Sequence, residues 1–456
     1  MKYRWLLVLL FVVSCGDSSR PGNARNQVDP ALEREIAGIK AIDNHAHPSP
    51  NLAENEADTT IDPLDQADFE SFPMPARARP DNPEFIAAWR ALYGYSFNDM
   101  APEHLSQLRQ MKQRAIQDLG ENYPASILDK LSIDVMITNR VVMGPGLNPA
   151  RFRFVPYVDA LLLPLNNSDV ADKNPDHRGY YVGIDRVLTR WVSDLGLKSR
   201  PDTLEAYLAQ VVIPVLDGLK QRGVFAVKFE AAYFRPLRFD DTPRSEAENL
   251  YARYIKGGQP TIQEYRALQD FLFRTVAREA GNRGMAVHFH TGAGAGSYYD
   301  LAGGSPTQLD SVFNDKTLRK TNFVLIHGGW PFTNETAYLL TKPNVYADFS
   351  YESFFLSKSQ LGRVLQTWLT IAPEKVLFGT DAFGTTPEIG WEEMAWLTST
   401  TGRHALALAL TEMMSDEGLS RERALQIARM VLRENAMGLY GWKDSDIQAA
   451  DGHKTK

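Results

Sequence analysis

The stretch Ala41-Ile42-Asp43-Asn44-His45-Ala46-His47-Pro48 decides how the chain is read. Ile39, Ala41 and Ile42 form a short apolar run, so the segment reads as the end of a strand. Alternate residues of a strand project to the same side, which puts His45 and His47 on one face. Two imidazoles so spaced can bind one cation together, and Pro48 stops the strand behind them. Alone, a His-x-His pair equally describes two histidines in a surface turn; what stands at the later strand ends decides.

Downstream, apolar runs and helical stripes alternate. Strands are expected at Ile133–Arg140, Phe152–Leu163, Val224–Glu230, Met285–His290, Asn322–His327, Val345–Phe349 and Lys375–Thr380. Helical patterns cover Ala31–Ile39, Pro83–Tyr95, Pro102–Leu119, Thr203–Arg222, Thr261–Ala280, Trp391–Thr398, His404–Met414 and Arg421–Glu434. Ile262, Tyr265, Leu268, Leu272 and Val276 make the clearest stripe. Short, continuously apolar strands separated by helices argue a parallel sheet covered by helices. Eight of them argue an α/β fold of the (β/α)8 TIM-barrel kind, with a helical insertion after the first strand and extra C-terminal helices.

With 456 residues, 44% of them hydrophobic, the chain can bury a large core. A net charge of −7 excludes a basic nucleic-acid face, and there is no Gly-rich phosphate loop or fixed-period repeat. Lys2 and Arg4 precede a short apolar run, Trp5–Val13, and Val12-Val13-Ser14-Cys15 resembles a bacterial lipobox. The expected organisation is a lipoprotein signal peptide over 1–15 with lipidation at Cys15, the sole cysteine, and a flexible tether over 16–30. A barrel over 31–445 follows, interrupted by an insertion at 49–125 and ending in a polar tail at 446–456. The expected location is the cell envelope, exported and held by a lipid anchor; Gly16 after the cysteine is compatible with the outer membrane.

Barrels of this type carry chemistry at the C-terminal ends of their strands. The first strand ends in His45 and His47, the fifth in His288-Phe289-His290-Thr291-Gly292, the sixth in His327-Gly328-Gly329 and the eighth in Gly379-Thr380-Asp381. Five of the nine histidines thus fall at strand ends, which chance placement would rarely produce. Imidazoles with one carboxylate suit Zn2+ or a similar ion.

This constellation resembles the amidohydrolase superfamily, in its amidohydrolase-2 branch, over about Ile39–Trp442, including a closing Glu434-Asn-Ala-x-x-Leu-Tyr-Gly441. The segments Lys228-Phe-Glu-Ala-Ala-Tyr233, His290-Thr-Gly292 and His327-Gly-Gly-Trp-Pro-Phe332 are similar to the N-terminal half of nodulin/glutamine-synthetase-like fusion proteins. The resemblance implies one divalent metal, Zn2+ by expectation, held by His45, His47 and His290 with Asp381 at its edge. It further implies that Asp381 moves the proton of the attacking water, and that His327 binds the metal or, as favoured here, hydrogen-bonds the substrate oxygen that gains charge. In other branches a lysine on the fourth strand is carboxylated and bridges two metals; Lys228 stands in that position, and a second metal would follow from it.

Arg140, Lys228, Tyr233 and Arg235 lie at or just past strand ends and are candidates for binding an anionic substrate. His288 reads as packing or support beside His290, Asp43 as a partner orienting an imidazole, and Asp348 as a strand-end cap on the rim. The Gly-rich run 292–304 reads as a mobile loop able to close through Tyr298, Tyr299 and Asp300, with Trp330 and Phe332 near the pocket. The function expected is a metal-dependent hydrolase of an amide or other C–N bond in a small anionic molecule. A decarboxylase of the same branch and a non-catalytic ligand-binding lipoprotein are the alternatives. No nucleic-acid partner is expected, membrane contact is through the lipid anchor only, and a homo-oligomer is compatible with the sequence.

Overall fold

The computed structural model describes residues 27–50, 74–141 and 143–448. The signal peptide, Cys15 and most of the tether, the acidic stretch 51–73 and the tail from 449 lie outside the described residues. No helix among the described residues is long and apolar enough to cross a membrane.

Eight strands run in order: β1 Ala41–Ala46, β2 Ile133–Asn139, β3 Phe152–Val155, β4 Ala226–Phe229, β5 Ala286–His290, β6 Phe323–Ile326, β7 Val345–Asp348 and β8 Val376–Leu377. Neighbours in sequence are neighbours in space and every pairing is parallel, in sheets β1–β2–β3 and β4 to β8. Backbone hydrogen bonds span both gaps. Lys228 N donates to the Pro156 carbonyl at 2.9 Å and Val158 N to the Lys228 carbonyl at 3.0 Å, joining β3 to β4. On the other side Asn44 N donates to Phe378 O at 2.8 Å and Asp381 N to His45 O at 2.7 Å, joining β8 to β1. The strands therefore follow one another around a ring, with helices outside it, as in a (β/α)8 barrel.

Most strand residues are buried on both faces, as a helix-covered parallel sheet requires. Inside the ring, Ile42, Val135, Ile137, Val155, Ala226, Ala286, Val324, Ile326 and Leu377 form a distinct apolar core. Tyr440 and Trp442 plug its lower end, each ring 4.7 Å from that of Phe225. This explains the closing sequence motif: Asn435 Nδ2 donates to the carbonyls of Pro373 and Val376, both at 2.8 Å, and thereby seats the plug against β8.

Two expectations change. The third strand ends at Val155 rather than Leu163: Pro156 offers no N–H to a ladder, and Asp159–Leu162 winds into a 3-10 turn. The two helices expected between Trp391 and Met414 are one helix, Trp391–Asp416. Gly402 sits mid-helix because a Cβ there would come within 2.9 Å of the Phe349 ring. The helix Arg178–Asp194, between β3 and β4, was not expected from the sequence.

One buried side chain ties the long C-terminal helix to the start of the barrel. Arg403 donates to the carbonyls of Ile36 at 2.9 Å, Ile39 at 3.0 Å and Ser132 at 3.0 Å, where β1 and β2 begin. Arg403→Met keeps the length but strands three carbonyls, so its unfolding free energy should fall by roughly 2–4 kcal/mol. Urea unfolding followed by circular dichroism measures this; an unchanged midpoint would show that Arg403 is not a tie.

Candidate metal centre

The C-terminal mouth of the ring collects the polar strand ends. His45 closes β1 and His47 follows it; Asp381 follows β8. His45 Nε2 lies 3.0 Å and His47 Nε2 3.4 Å from Asp381 Oδ1. Donor atoms of these three residues all fall within 4.8 Å of one another, the one such metal-ligating group found among the described residues. His45 is wholly buried, yet its Nε2 has no partner in hydrogen-bond geometry. A buried, unsatisfied ring nitrogen facing a carboxylate and a second imidazole fits a cation.

The tautomer of His45 is set from behind. Asn139, at the end of β2, places its amide 2.6 Å from His45 Nδ1. As placed, Nδ2 faces the ring and the buried Oδ1 has no partner. Turning the amide over lets Oδ1 accept from Nδ1–H and leaves the Nε2 lone pair of His45 for a metal. Asp43, expected to orient an imidazole, instead accepts from Thr380 N at 2.9 Å and Thr380 Oγ1 at 2.5 Å and fastens β1 to β8.

His290 and His327 complete a row of rings: His47 to His45, 4.9 Å; His45 to His327, 4.9 Å; His327 to His290, 4.7 Å. His290 stands outside the tight three-residue group. Its Nε2 donates to the Ala293 carbonyl at 3.0 Å, and its Nδ1 is 3.5 Å from Glu230 Oε2.

His327 is held by a chain with only one consistent direction. Asp348, at the end of β7, takes donors from His327 N at 2.9 Å, Ser350 N at 3.2 Å, Ser350 Oγ at 2.6 Å and Asn44 Nδ2 at 2.9 Å. Ser350 has a single hydroxyl proton and gives it to Asp348. Its Oγ can therefore only accept from His327 Nδ1, 2.9 Å away. Neutral His327 then bears its proton on Nδ1 and turns a bare Nε2 towards the other rings. That suits a cation or an incoming proton, not the donation to a substrate oxygen that was expected of it. Asp348 is thus no rim cap but a fully buried hub. The same direction runs on: Tyr440 Oη donates to Asn44 Oδ1 at 2.5 Å and accepts from His288 Nε2 at 2.9 Å.

The remaining candidates divide. Lys228 is wholly buried, its Nζ 2.6 Å from Glu230 Oε1. A carboxylated lysine would set an anion against that glutamate, so the pair argues against a bridging role and leaves Lys228 an internal charge. Arg235 is turned away, donating to Asp270 Oδ1 at 2.5 Å, Gln269 Oε1 at 3.0 Å and three backbone carbonyls. Tyr233 does face the site, its ring 4.5 Å from that of His290. Arg140 is buried beside the loop after β1, its Nη1 donating to Pro48 O at 3.3 Å. The Gly-rich loop is tied down rather than loose. Gly292 N donates to Gly304 O and Ala293 N to Trp330 O, both at 2.7 Å, and Tyr298 N donates to Asp176 Oδ2 at 2.9 Å. Gly292 must be glycine, since a Cβ would lie 2.1 Å from the Trp330 carbonyl.

Burial dominates the electrostatics. It holds His45, His290 and His327 well below the ordinary histidine range, helped by the positive charge of Lys228, and so keeps their rings neutral and able to ligate. Burial raises Asp381 to about 7 against the lowering pull of His47 and Lys228.

Sequence reading missed Asn139, Ser350, Tyr351, Glu230 and Tyr440. A signal exists in the backbone: of four non-glycine residues with positive φ among the described residues, His327, Tyr351 and Asp381 are three. Beside them, Glu352 buries both carboxyl oxygens without a partner, and burial followed by the charge of Asp348 holds its pKa well above the usual range. A carboxyl whose folded pKa is raised stabilises most below its unfolded value, about 4, and loses that contribution as pH rises. Glu352→Gln should therefore be more stable than the parent at pH 8, by about 1–3 kcal/mol, with the gap narrowing at pH 5. Thermal unfolding at the two pH values tests this, and a pH-independent difference would refute it.

Comparison with known proteins agrees with this geometry. Residues 228–442 match the family model described as amidohydrolase (Amidohydro_2). Protein fluG of Emericella nidulans is 26% identical over 256 residues, 53% of this chain, and the chain spans only 28% of that protein's length. A solved structure described as a metal-dependent hydrolase from Lactobacillus casei superposes with a TM-score of 0.60 at 16% identity, covering 90% of this chain and 97% of that one. Glucuronate isomerase from Caulobacter crescentus superposes with a TM-score of 0.57 at 12% identity, covering 90% and 93%. At such identities the two structures speak for the barrel alone. Just under half of the chain, residues 228–442, thus matches the amidohydrolase (Amidohydro_2) family model, on a barrel fold that these solved structures share.

Proposed function

We propose that the chain is a metal-dependent hydrolase cleaving an amide or other C–N bond of a small anionic substrate. The observation that carries this reading is the buried His45–His47–Asp381 group at the barrel mouth. Two imidazoles and a carboxylate suit Zn2+, and the Lys228–Glu230 pair favours one ion per chain. A divalent cation held there supplies Lewis acidity and brings water close to ionisation at neutral pH.

The chain's own residues do the rest. His45, His47 and Asp381 would hold the ion, and His290 stands beside them with its Nε2 on the Ala293 carbonyl. Asp381 takes the proton of the attacking water on a carboxylate oxygen and passes it to the departing nitrogen. Arg140 and Tyr233 form the substrate side, a guanidinium being matched to a carboxylate. The resemblance of the Lys228–Tyr233, His290–Gly292 and His327–Phe332 segments to the fusion proteins makes a γ-glutamyl amide or another amino-acid conjugate the first substrate class to try.

Elemental analysis of the purified chain should find one zinc per molecule, and His45→Ala should lose it while remaining folded. Asp381→Asn should keep the metal through the imidazoles yet lose activity by a factor of about 100 or more. Full activity in that variant would remove the mechanism. Release of CO2 from a carboxyl-labelled substrate, without release of amine, would replace hydrolysis by decarboxylation.

A further inference from the structure

The fixed direction of the Asp348 chain leaves a role unfilled. A hydrolase of the kind proposed above needs a donor aimed at the substrate oxygen that gains charge. His327 was expected to be that donor, but in its neutral form the Ser350 contact commits its proton to Nδ1, on the far side of the ring. Lys228 is closed off by Glu230. Tyr233 Oη accepts from Ala295 N at 3.3 Å, which places it against the Gly-rich loop. Tyr299 Oη is buried beneath the loop, where a Cβ on Gly304 would lie 2.5 Å from it.

Tyr351 is placed otherwise. It follows Ser350 directly and sits at φ +64°, ψ −38°. Glu352 N reaches back over it to the Ser350 carbonyl at 2.7 Å. This is a γ-turn of the positive-φ type, rare and strained, and more so for a bulky residue. The turn throws the half-buried tyrosine ring back over the site, 5.1 Å from the ring of His327. An aromatic brace holds it there: Phe355 lies 4.9 Å away and is itself stacked on Trp330 at 4.2 Å, while Phe354 lies 5.7 Å away. The charge that the hydroxyl feels is that of Asp381, and burial keeps the phenol protonated. Two consecutive residues thus do linked jobs. Ser350 fixes the proton of His327, Tyr351 turns a hydroxyl to the same space, and the turn between them fixes their relation.

We propose that Tyr351 is a catalytic residue, its Oη–H donating a hydrogen bond to the substrate oxygen that gains charge as the C–N bond is attacked. This rests on the hydrolytic reading above. The proton stays on the tyrosine throughout, and Asp381 alone transfers one.

The test compares the Zn2+-loaded full chain with Tyr351→Phe, which keeps the ring and its brace. The chromogenic probe γ-glutamyl-p-nitroanilide reads turnover. Isothermal titration with acetohydroxamate reads the affinity for an anionic oxygen at the metal. Tyr351→Phe should keep its zinc and lose about 100-fold or more in kcat, with KM changed by less than about 3-fold, as for removal of an oxyanion donor. Acetohydroxamate should bind about 10-fold more weakly. A kcat within about 3-fold of the parent, or equal acetohydroxamate affinity, overturns the proposal. If the parent chain turns over neither this probe nor other amides, the hydrolytic reading fails, and the titration alone still decides whether Tyr351 donates to an oxygen anion in this site.

Discussion

The carboxylate of Asp348 is the constraint on which the mouth of the barrel depends. It is wholly buried and gathers four donors from three strands: Asn44 beside β1, His327 N after β6, and Ser350 N and Oγ after β7. A buried anion tolerates only donors, so every group touching it has its hydrogen-bond sense dictated. That sense is passed outward, to the ring proton of His327 through Ser350 and to His288 through Asn44 and Tyr440. No one of these side chains could be reoriented without leaving a buried polar atom unsatisfied. The site is stiff because its polarity converges on one point.

Much of this was legible from the chain, and the division has physical causes. Strand ends are easy to find because a parallel, helix-covered strand is a short apolar run that stops abruptly, and histidines standing at such stops are conspicuous. That logic brings out His45, His47 and Asp381 among the strand-end residues, and the family resemblance implied their role at a metal. What was hidden depends on tertiary direction. Asn44 and Asn139 are ordinary strand-end polar residues until one sees which oxygen they approach. Tyr440 reads as part of an apolar helix end. Arg235, which stands where a substrate ligand would, is claimed by Asp270 on the helix Ile262–Asn282, a competition no local pattern reveals. The third strand was overextended because apolarity continued past Val158 while the chain turned into the 3-10 turn Asp159–Leu162.

Lys228 and Glu230 set the electrical character of the interior. After burial, the lysine charge pushes the neighbouring imidazoles towards neutrality; burial raises Asp381, Lys228 pulls it down, and Glu230 adds more weakly to the rise. Glu230 is gripped from outside by Asp159, whose two oxygens both accept from its backbone N at 3.0 Å. The pair is a neutral dipole overall. It acts on the candidate ligands without adding net charge to the mouth of the barrel.

The bond between Tyr440 and Asn44 spans 396 residues of sequence. Asn44 stands next to His45, and the barrel interior is plugged only when Tyr440 and Trp442 arrive. A chain made at about 5–20 residues per second keeps its first two histidines waiting for roughly 20–80 s before their final neighbour exists. Through that interval the nascent barrel lacks its floor, the Asp348 chain is incomplete, and no strand order short of all eight can close. Contacts of such long range make for slow folding. The candidate metal centre therefore reaches its finished geometry only once almost the whole polypeptide is in place.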